Sequence, residues 1–257
     1  MTERPLVLIP PSLAKSSGGR HAARPGLFDN ELSLSRRRVR AALQERVTNA
    51  TPKELAVLLN AGGPLLSASM EATMRLNESP SHVTPAWRRY QGVVWSHLDA
   101  ETLGTSLRRR ILIPSGLYGL VSGEDLLEDY RLGMGASLPP LGPLARFWRT
   151  ELTEILANYR PRAPLVNYLP AEHAASIDFT ALSKKRPVIT VRFLSSDGER
   201  AVGHDAKAVK GVLARQTLLN GVNSLDGMAW NGWTVRKDGN EVLVYAPLER
   251  NWGLERP

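Results

Sequence analysis

The first clear signal along the chain is an apolar run of four, Leu6 to Ile9, stopped by Pro10 and Pro11. That pattern predicts a short buried strand. A small, polar stretch with paired Gly18 and Gly19 then reads as loop. In SRRRVRAALQERV, Val39, Leu43 and Val47 recur every four residues, the apolar stripe of a helix. Arg36, Arg37, Arg38 and Arg40 fall at its expected start, where the helix dipole disfavours positive charge. A bound anion would offset that repulsion; a solvated basic face is the alternative. Thr51-Pro52-Lys53-Glu54 has the form of a capping box, opening a helix that should stop at Gly62-Gly63.

A second Thr-Pro pair, Thr84-Pro85, predicts a helix through AWRRYQGVVWSHL, and Asp99 a further cap for a helix reaching Leu107. RRRILIP changes period to a strand, and PSGLYGLVSGEDLLEDYRLGMG reads as loop, short helix and loop. Over 143–159, Leu144, Trp148, Leu152, Ile155 and Tyr159 mark one face of a strong amphipathic helix. PLVNYL and PVITVRFL read as strands, with a turn at Ser195–Gly198. A helix from about Asp205 to Leu219 carries Val209, Leu213 and Gln216 at helical spacing, and WTVR-KDGN-EVLVYA closes the chain as a hairpin tipped by Asp238-Gly239. With no repeat and no obvious linker, residues 1–257 read as a single mixed α+β domain.

Composition narrows the chemistry. The 257 residues contain no cysteine, which excludes disulfides, a thiolate nucleophile, cysteine-held zinc and thiolate-held iron–sulfur clusters. No run is long enough for a signal-peptide core or a membrane span, so a cytoplasmic protein without a membrane partner is expected. The net charge of +8 points to a polyanionic partner, DNA or a nucleotide-like anion. The basic residues are 26 Arg against only 7 Lys, a skew that compositional bias also produces. GxxxxGK[ST], GxGxxG into a helix, HExxH and GxSxG are all missing, and no two His lie at i,i+4. No cofactor and no metal site are expected.

Four clusters carry candidate chemistry. Lys15 follows the first strand into a Gly-rich loop, a position suited to phosphate or catalytic contact. In Pro114-Ser115-Gly116-Leu117-Tyr118-Gly119, with Asp125 downstream, two glycines flank an apolar pair as in helix–hairpin–helix DNA-binding turns, with one residue more than those turns carry. An ordinary buried turn is the competing reading. Tyr130 and Arg131 set a phenol beside a guanidinium, able to stack on a base and clamp an anion, or simply to pack. Lys207, Lys210, Gly211 and Arg215 recur at three to five residues along one helix, as a phosphate-binding or merely solvated face. Clustered amines would also lower one lysine's pKa toward use as a base or Schiff-base nucleophile.

Taken in order, the PPSxxK start, SGLYGLVSGEDLLEDYRLGMG, the FWRTEL helix and HxxKxxKGxxxR resemble the YaaA family of peroxide-stress proteins, from about Leu6 to Tyr245, with ends 1–5 and 246–257 poorly matched. The resemblance implies a compact α+β fold with a basic cleft and a helix–hairpin–helix-like element, DNA binding, and a role in limiting oxidative damage to DNA. It places family motif residues on Lys15, Gly116, Tyr118, Gly119, Asp125, Tyr130, Arg131, Trp148, Lys207, Lys210, Gly211 and Arg215. Leu13-Ala14 within the first motif, His173 and Ala206 depart from the family pattern. Two functions follow as expectations. One is a DNA-binding stress protein, gripping phosphates through Gly116, Gly119, Arg131, Lys210, Gly211 and Arg215, with Tyr118 or Tyr130 stacking on a base. The other is an enzyme on a nucleobase, nucleotide or small anionic substrate, with lysine-dependent lyase or glycosidase-like chemistry. There Lys207 or Lys15 is the base or nucleophile, Asp125 or Glu172 its acid–base partner, and Tyr130 a further catalytic group. Both require Lys15, Tyr130, Arg131, Lys207 and Arg215 to face one cleft.

Overall fold

The opening LVLI run forms the strand around which a large sheet is built. Leu6, Val7, Leu8 and Ile9 are wholly buried, as expected of a strand covered on both faces with parallel neighbours on each side. The computed structural model describes residues 3–21, 25–77, 82–195 and 204–247. In chain order its strands are β1 (Leu6–Leu8), β2 (Arg20–His21), β3 (His82–Pro85), β4 (Ile111–Ser115), β5 (Gly119–Ser122), β6 (Leu126–Glu128) and β7 (Ser137–Leu138). They continue with β8 (Gly142–Pro143), β9 (Leu165–Asn167), β10 (Val188–Leu194), β11 (Ala229–Trp230), β12 (Trp233–Asp238) and β13 (Glu241–Tyr245).

Eight of these make one mixed sheet in the order β11-β12-β13-β10-β9-β1-β4-β5. β4, β1, β9, β10 and β13 run parallel, with Val7 opposite both Ile111 and Val166. The edges are antiparallel: β5 folds back on β4, and the β12–β13 hairpin turns at Gly239, where φ is 52°. A small sheet, β2-β3-β6, and the β7–β8 ribbon complete a single mixed α/β domain.

The helices are α1 (Asp29–Asn49), α2 (Pro52–Leu58), α3 (Pro64–Met74), α4 (Ala86–Arg89), α5 (Val93–Leu98), α6 (Thr105–Arg108), α7 (Leu144–Asn158), α8 (Ala171–Ala174), α9 (Phe179–Ser183) and α10 (His204–Asn220). The capping box at Thr51 is formed, with Glu54 accepting from the Thr51 backbone at 2.8 Å. On α7, Leu144, Trp148 and Leu152 are fully buried, as their spacing predicts. α10 packs along α5 and over β1. That contact depends on Gly211, where a Cβ would strike the Val94 carbonyl and lie 2.7 Å from the His97 Cβ.

Several elements differ from the sequence pattern. α1 begins at Asp29, because Phe28 and Leu32 are drawn into the core. The arginine run therefore lies in mid-helix, and the protein supplies its own counter-groups. Arg36 pairs with Asp29 and donates to the carbonyls of Tyr118 and Leu120, both at 2.8 Å. Arg40 pairs with Glu128 at 2.7 Å. α2 ends at Leu58, and α3 starts after Gly63 rather than the chain simply stopping there. Thr84-Pro85 opens no long helix: Thr84 pairs with Leu127 in the small sheet, and the helical segment breaks at Gly92, whose φ is 109°. Asp99 adopts a left-handed conformation before a single 3-10 turn, Ala100–Thr102.

Leu126–Glu128 is a strand where a short helix was expected. The Asp125 carboxylate accepts the Ser122 and Leu27 amides at 3.0 and 3.1 Å, which tightens the turn and sends the chain back extended against β3. The Gly116–Gly119 turn joins β4 to β5, so the element expected to resemble a helix–hairpin–helix is flanked by strands. The turn expected after Ser195 falls on 196–198, outside the described residues.

Overpacking a close helix contact costs about 1–3 kcal/mol, so Gly211→Ala should lower stability in urea unfolding by roughly 2 kcal/mol. Gly62→Ala, with open space around its Cβ position, should leave stability unchanged or slightly raised.

Candidate active site at Lys15

β1, β4 and β9 all deliver their carboxyl ends to one edge of the sheet, the edge at which open α/β sheets place their ligands. Three segments leave from there. β1 is stopped by Pro10 and Pro11 and leads to Ser12–Lys15; β4 ends in Ser115; and β9 turns at Asn167, whose side chain accepts the Leu169 amide at 2.9 Å, into α8 with Glu172 and His173.

Lys15 is held in place by its backbone. It forms an isolated antiparallel bridge with Tyr90, and the Gln91 amide donates to the Ala14 carbonyl at 3.0 Å. The wholly buried Arg89 fixes the following loop by donating to the carbonyls of Ser16, Gly18 and Leu127. The half-buried Lys15 amine donates to the Ser12 carbonyl at 3.0 Å and stands 4.4 Å from the Tyr130 ring centroid and 5.6 Å from that of Tyr90. Burial lowers its pKa to about 7; Asp129 opposes that shift, while Arg131 and Arg89 add to it. Near neutral pH a large share of this amine is uncharged and nucleophilic.

The ring beneath it is fixed from behind. Tyr130, only 2% exposed, has its hydroxyl 2.6 Å from that of Tyr90 and 2.8 Å from Ser115 Oγ, which also accepts the Tyr118 amide at 3.1 Å. Tyr118 packs edge-on against Tyr130, donates its hydroxyl to Glu128 at 2.6 Å and accepts the Glu128 amide at 3.1 Å. Glu128 in turn pairs with Arg40. Burial pushes the Tyr130 hydroxyl up to about 12 and those of Tyr118 and Tyr90 upward as well. These phenols stay protonated at neutral pH and serve as a rigid platform.

In front of the amine lies a pocket of about 540 Å³, lined by Ser12, Lys15, Tyr130, Gly133, Glu172 and His173 among others. The Glu172 carboxylate accepts the Gly135 amide at 3.0 Å, and a Cβ at Gly135 would come within 2.7 Å of it. His173 Nδ1 is buried and without a hydrogen-bond partner among the described residues. Burial lowers the His173 pKa, against the pull of Glu172 and with the help of the Lys210 charge. The imidazole is thus held neutral on the wall of the lysine pocket.

The expected site residues separate into three groups. Lys15 and Tyr130 line the pocket, Glu172 lies on its wall, and Lys210 is near enough to act on His173. Arg131 lies alongside, but its guanidinium donates to the carbonyls of Leu59 and Asn60, both at 2.9 Å, and of Leu13 at 3.4 Å. Tyr118, Gly116 and Gly119 stand behind the site. A Cβ at Gly116 would sit 2.7 Å from the Leu132 and Gly133 carbonyls; at Gly119 it would sit 2.8 Å from the Trp148 ring. Trp148 also donates to the Gly116 carbonyl at 3.0 Å, so both glycines permit packing that sets the pocket floor. The third group lies apart: Asp125 braces its turn, Gly211 meets α5, and Arg215 donates to the carbonyls of Leu98 and Asp99. Lys207 is exposed on α10.

Sequence reasoning missed Tyr90, Arg89 and Glu128, and took Ser115 for a turn residue. Ser115 had a usable signal, since it ends a strand parallel to the one preceding Lys15. Among the described residues, no group of three or more His, Asp and Glu is arranged to hold a metal ion, and no helix is long and apolar enough to cross a membrane.

Comparison with known proteins places the chain among relatives matched over most of its length. The family model described as "Peroxide stress protein YaaA" matches residues 6–238. A UPF0246 protein of Streptomyces coelicolor is 31% identical, with 97% of each chain covered. A UPF0246 protein of Corynebacterium glutamicum is also 31% identical, over 84% of this chain and 85% of the relative, and one from Cereibacter sphaeroides is 32% identical over 81% and 86%.

The depressed lysine has a stability signature. Below pH about 7 both folded and unfolded states carry the Lys15 proton, and the cost of burying the charge is present in full. Between about 7 and 10.5 only the unfolded chain binds it, so this contribution to stability rises with pH. Urea unfolding at pH 7 and 10 should show a gain for the native protein that Lys15→Met lacks; equal pH responses would mean the amine is not depressed.

Proposed function

The chain belongs to the YaaA family of peroxide stress proteins, and from that premise we propose that it binds damaged DNA at the carboxyl edge of the sheet and uses the Lys15 amine as a nucleophile toward a sugar-derived aldehyde. The observation that carries this reading is the Lys15 amine itself, with a pKa near 7, over the face of a fixed tyrosine and inside a pocket. A cation meant only to grip phosphate needs no such depression; an amine meant to attack carbon does.

The chemistry balances with residues in reach. The neutral amine attacks the carbonyl carbon, forming a nitrogen–carbon bond. The carbonyl oxygen then leaves as water with both amine protons, and an imine remains. Once protonated, that imine acidifies the neighbouring C–H. Glu172 or neutral His173, on the pocket wall, accepts its proton while a phosphate ester departs with the bonding electrons. A volume of about 540 Å³ lies in the range of small-ligand pockets.

The net charge of +8 supports a polyanion as carrier of the aldehyde. Arg131 and Arg215 already serve backbone carbonyls and Lys207 is exposed on α10, so the charge acts as an overall attraction for the polyanion and not through one basic cleft.

Borohydride treatment of the protein with an oligonucleotide bearing an aldehydic abasic residue should yield a covalent adduct mapped to Lys15 by mass spectrometry. Lys15→Met should reduce the yield at least tenfold and Lys207→Met less than twofold. Raising the salt concentration should weaken binding steeply. Undiminished trapping in Lys15→Met would remove this assignment.

A further inference from the structure

Lys15 is bordered by two cavities. Besides the pocket of about 540 Å³, a second of about 510 Å³ is lined by Leu13, Lys15, Ala68, Ala72, Asp129 and Arg131 among others. Leu13, Lys15 and Tyr130 are walls of both. The border between them is a built feature. Arg131, from the second cavity, reaches the carbonyls of Leu13 and Asn60, which line the first. The clamp thereby holds the Ser12–Lys15 segment against the α2–α3 turn, leaving space on either side of the amine.

The walls differ. The first cavity has the side chains of Glu172, His173 and Asn60 for hydrogen bonding. The second is faced by one side of α3, with Leu65, Ala68 and Ala72 offering an apolar surface. Each also has an aliphatic rim left in water: Val57, 79% exposed, at the first; Leu65, 48%, at the second; and Leu13, 46%, shared by both. A ligand confined to one cavity would leave the other filled with water and at least one rim uncovered. A chain crossing the amine would cover all three rims, burying their apolar surface against the faces of bases and sugars.

We infer that the Lys15 site accepts an aldehyde at an internal position of a single nucleic-acid strand, with the reactive carbon at the amine and one flanking unit seated in each cavity. This rests on the amine chemistry proposed above and adds a substrate class to it: a chain interior, as opposed to a chain end or a free sugar phosphate. The mechanism of selection is positional. Seating both flanks fixes the carbonyl carbon against the amine, while a one-sided ligand retains freedom to turn away.

Borohydride trapping with three probes tests this: a single-stranded oligonucleotide with an internal abasic residue, the same strand with that residue at its 3′ end, and 2-deoxyribose 5-phosphate. The initial rate of Lys15 adduct formation should be at least tenfold higher for the internal site than for either other probe. Ala68→Trp, at an exposed position of α3, fills the second cavity; it should cut the internal rate at least tenfold and leave 2-deoxyribose 5-phosphate within twofold. Ala72→Phe is the second plug, and thermal unfolding of both variants is compared with the native protein. Equal rates for internal and terminal sites, or plugs that slow all three probes alike, would overturn the two-cavity inference and leave the amine chemistry standing. No Lys15 adduct with any of the three would remove the amine chemistry itself.

Discussion

Taking an ammonium out of water costs several kcal/mol unless other groups replace its hydration, and among the described residues Lys15 has the Ser12 carbonyl, the faces of two tyrosines and the nearby charge of Asp129 to do so. Those faces cannot turn away. The Tyr90 and Tyr130 hydroxyls are bonded to each other, and Tyr130 also to Ser115 at the end of β4. Ser115 is tied to the amide of Tyr118, and Tyr118 through Glu128 to Arg40 on α1. The environment of one amine is thus anchored to the central sheet, the small sheet and the longest helix. Because each hydroxyl is spent on a partner behind the ring, the platform stays protonated while burial lowers the amine's proton affinity.

The same architecture changes the meaning of the arginine excess. Arg89 holds the loop after Lys15 by its carbonyls, and Arg131 clamps the α2–α3 turn. Arg36 braces the β4–β5 turn, Arg186 caps the end of α7 through the Tyr159 carbonyl at 3.0 Å, and Arg215 closes the end of α5. A planar fork of five donors suits this work, because it can satisfy several carbonyls left over at helix ends and irregular loops. A sizeable part of the +8 therefore acts inside the molecule, and the surface offered to a polyanion is less basic than the count suggests.

What could be read in advance follows from how local each determinant is. LVLI closed by two prolines, the Thr51 capping box, the α7 stripe and the Asp238-Gly239 hairpin are set by neighbours in sequence, and all are present. Lys15, Tyr130 and Arg131 could be singled out by residue type and position. The start of α1 could not, because it is set by Phe28 and Leu32 packing against distant residues of the core. Leu126–Glu128 looked helical by composition and is extended because Asp125 ties two amides and β3 offers a partner. Tyr90 carries no motif at all; its importance exists only where its hydroxyl meets that of Tyr130. Gly211 and Arg215 were grouped with the lysines by helical spacing, yet their neighbours lie on α5, about 115 residues away along the chain for Arg215.

The choice of lysine at position 15 follows from comparing it with two buried arginines of the same fold. Arg186 is 3% exposed, and burial lowers its pKa only to about 10, so it remains charged at neutral pH with carbonyls around it. Arg89 is wholly buried and likewise sustained by carbonyls. Desolvation of the half-buried Lys15 amine takes it to about 7, because a lysine starts lower and its amine here has a single carbonyl acceptor among the described residues. The fold therefore uses arginine where a permanent buried cation serves as a strut, and lysine at the half-buried position 15, where the charge can be shed. An arginine at 15 would restore a cation for phosphate but could never present a free electron pair to carbon. That asymmetry, in a chain with 26 arginines and 7 lysines, makes Lys15 a position where burial and the charges of Arg131 and Arg89 can favour the uncharged amine.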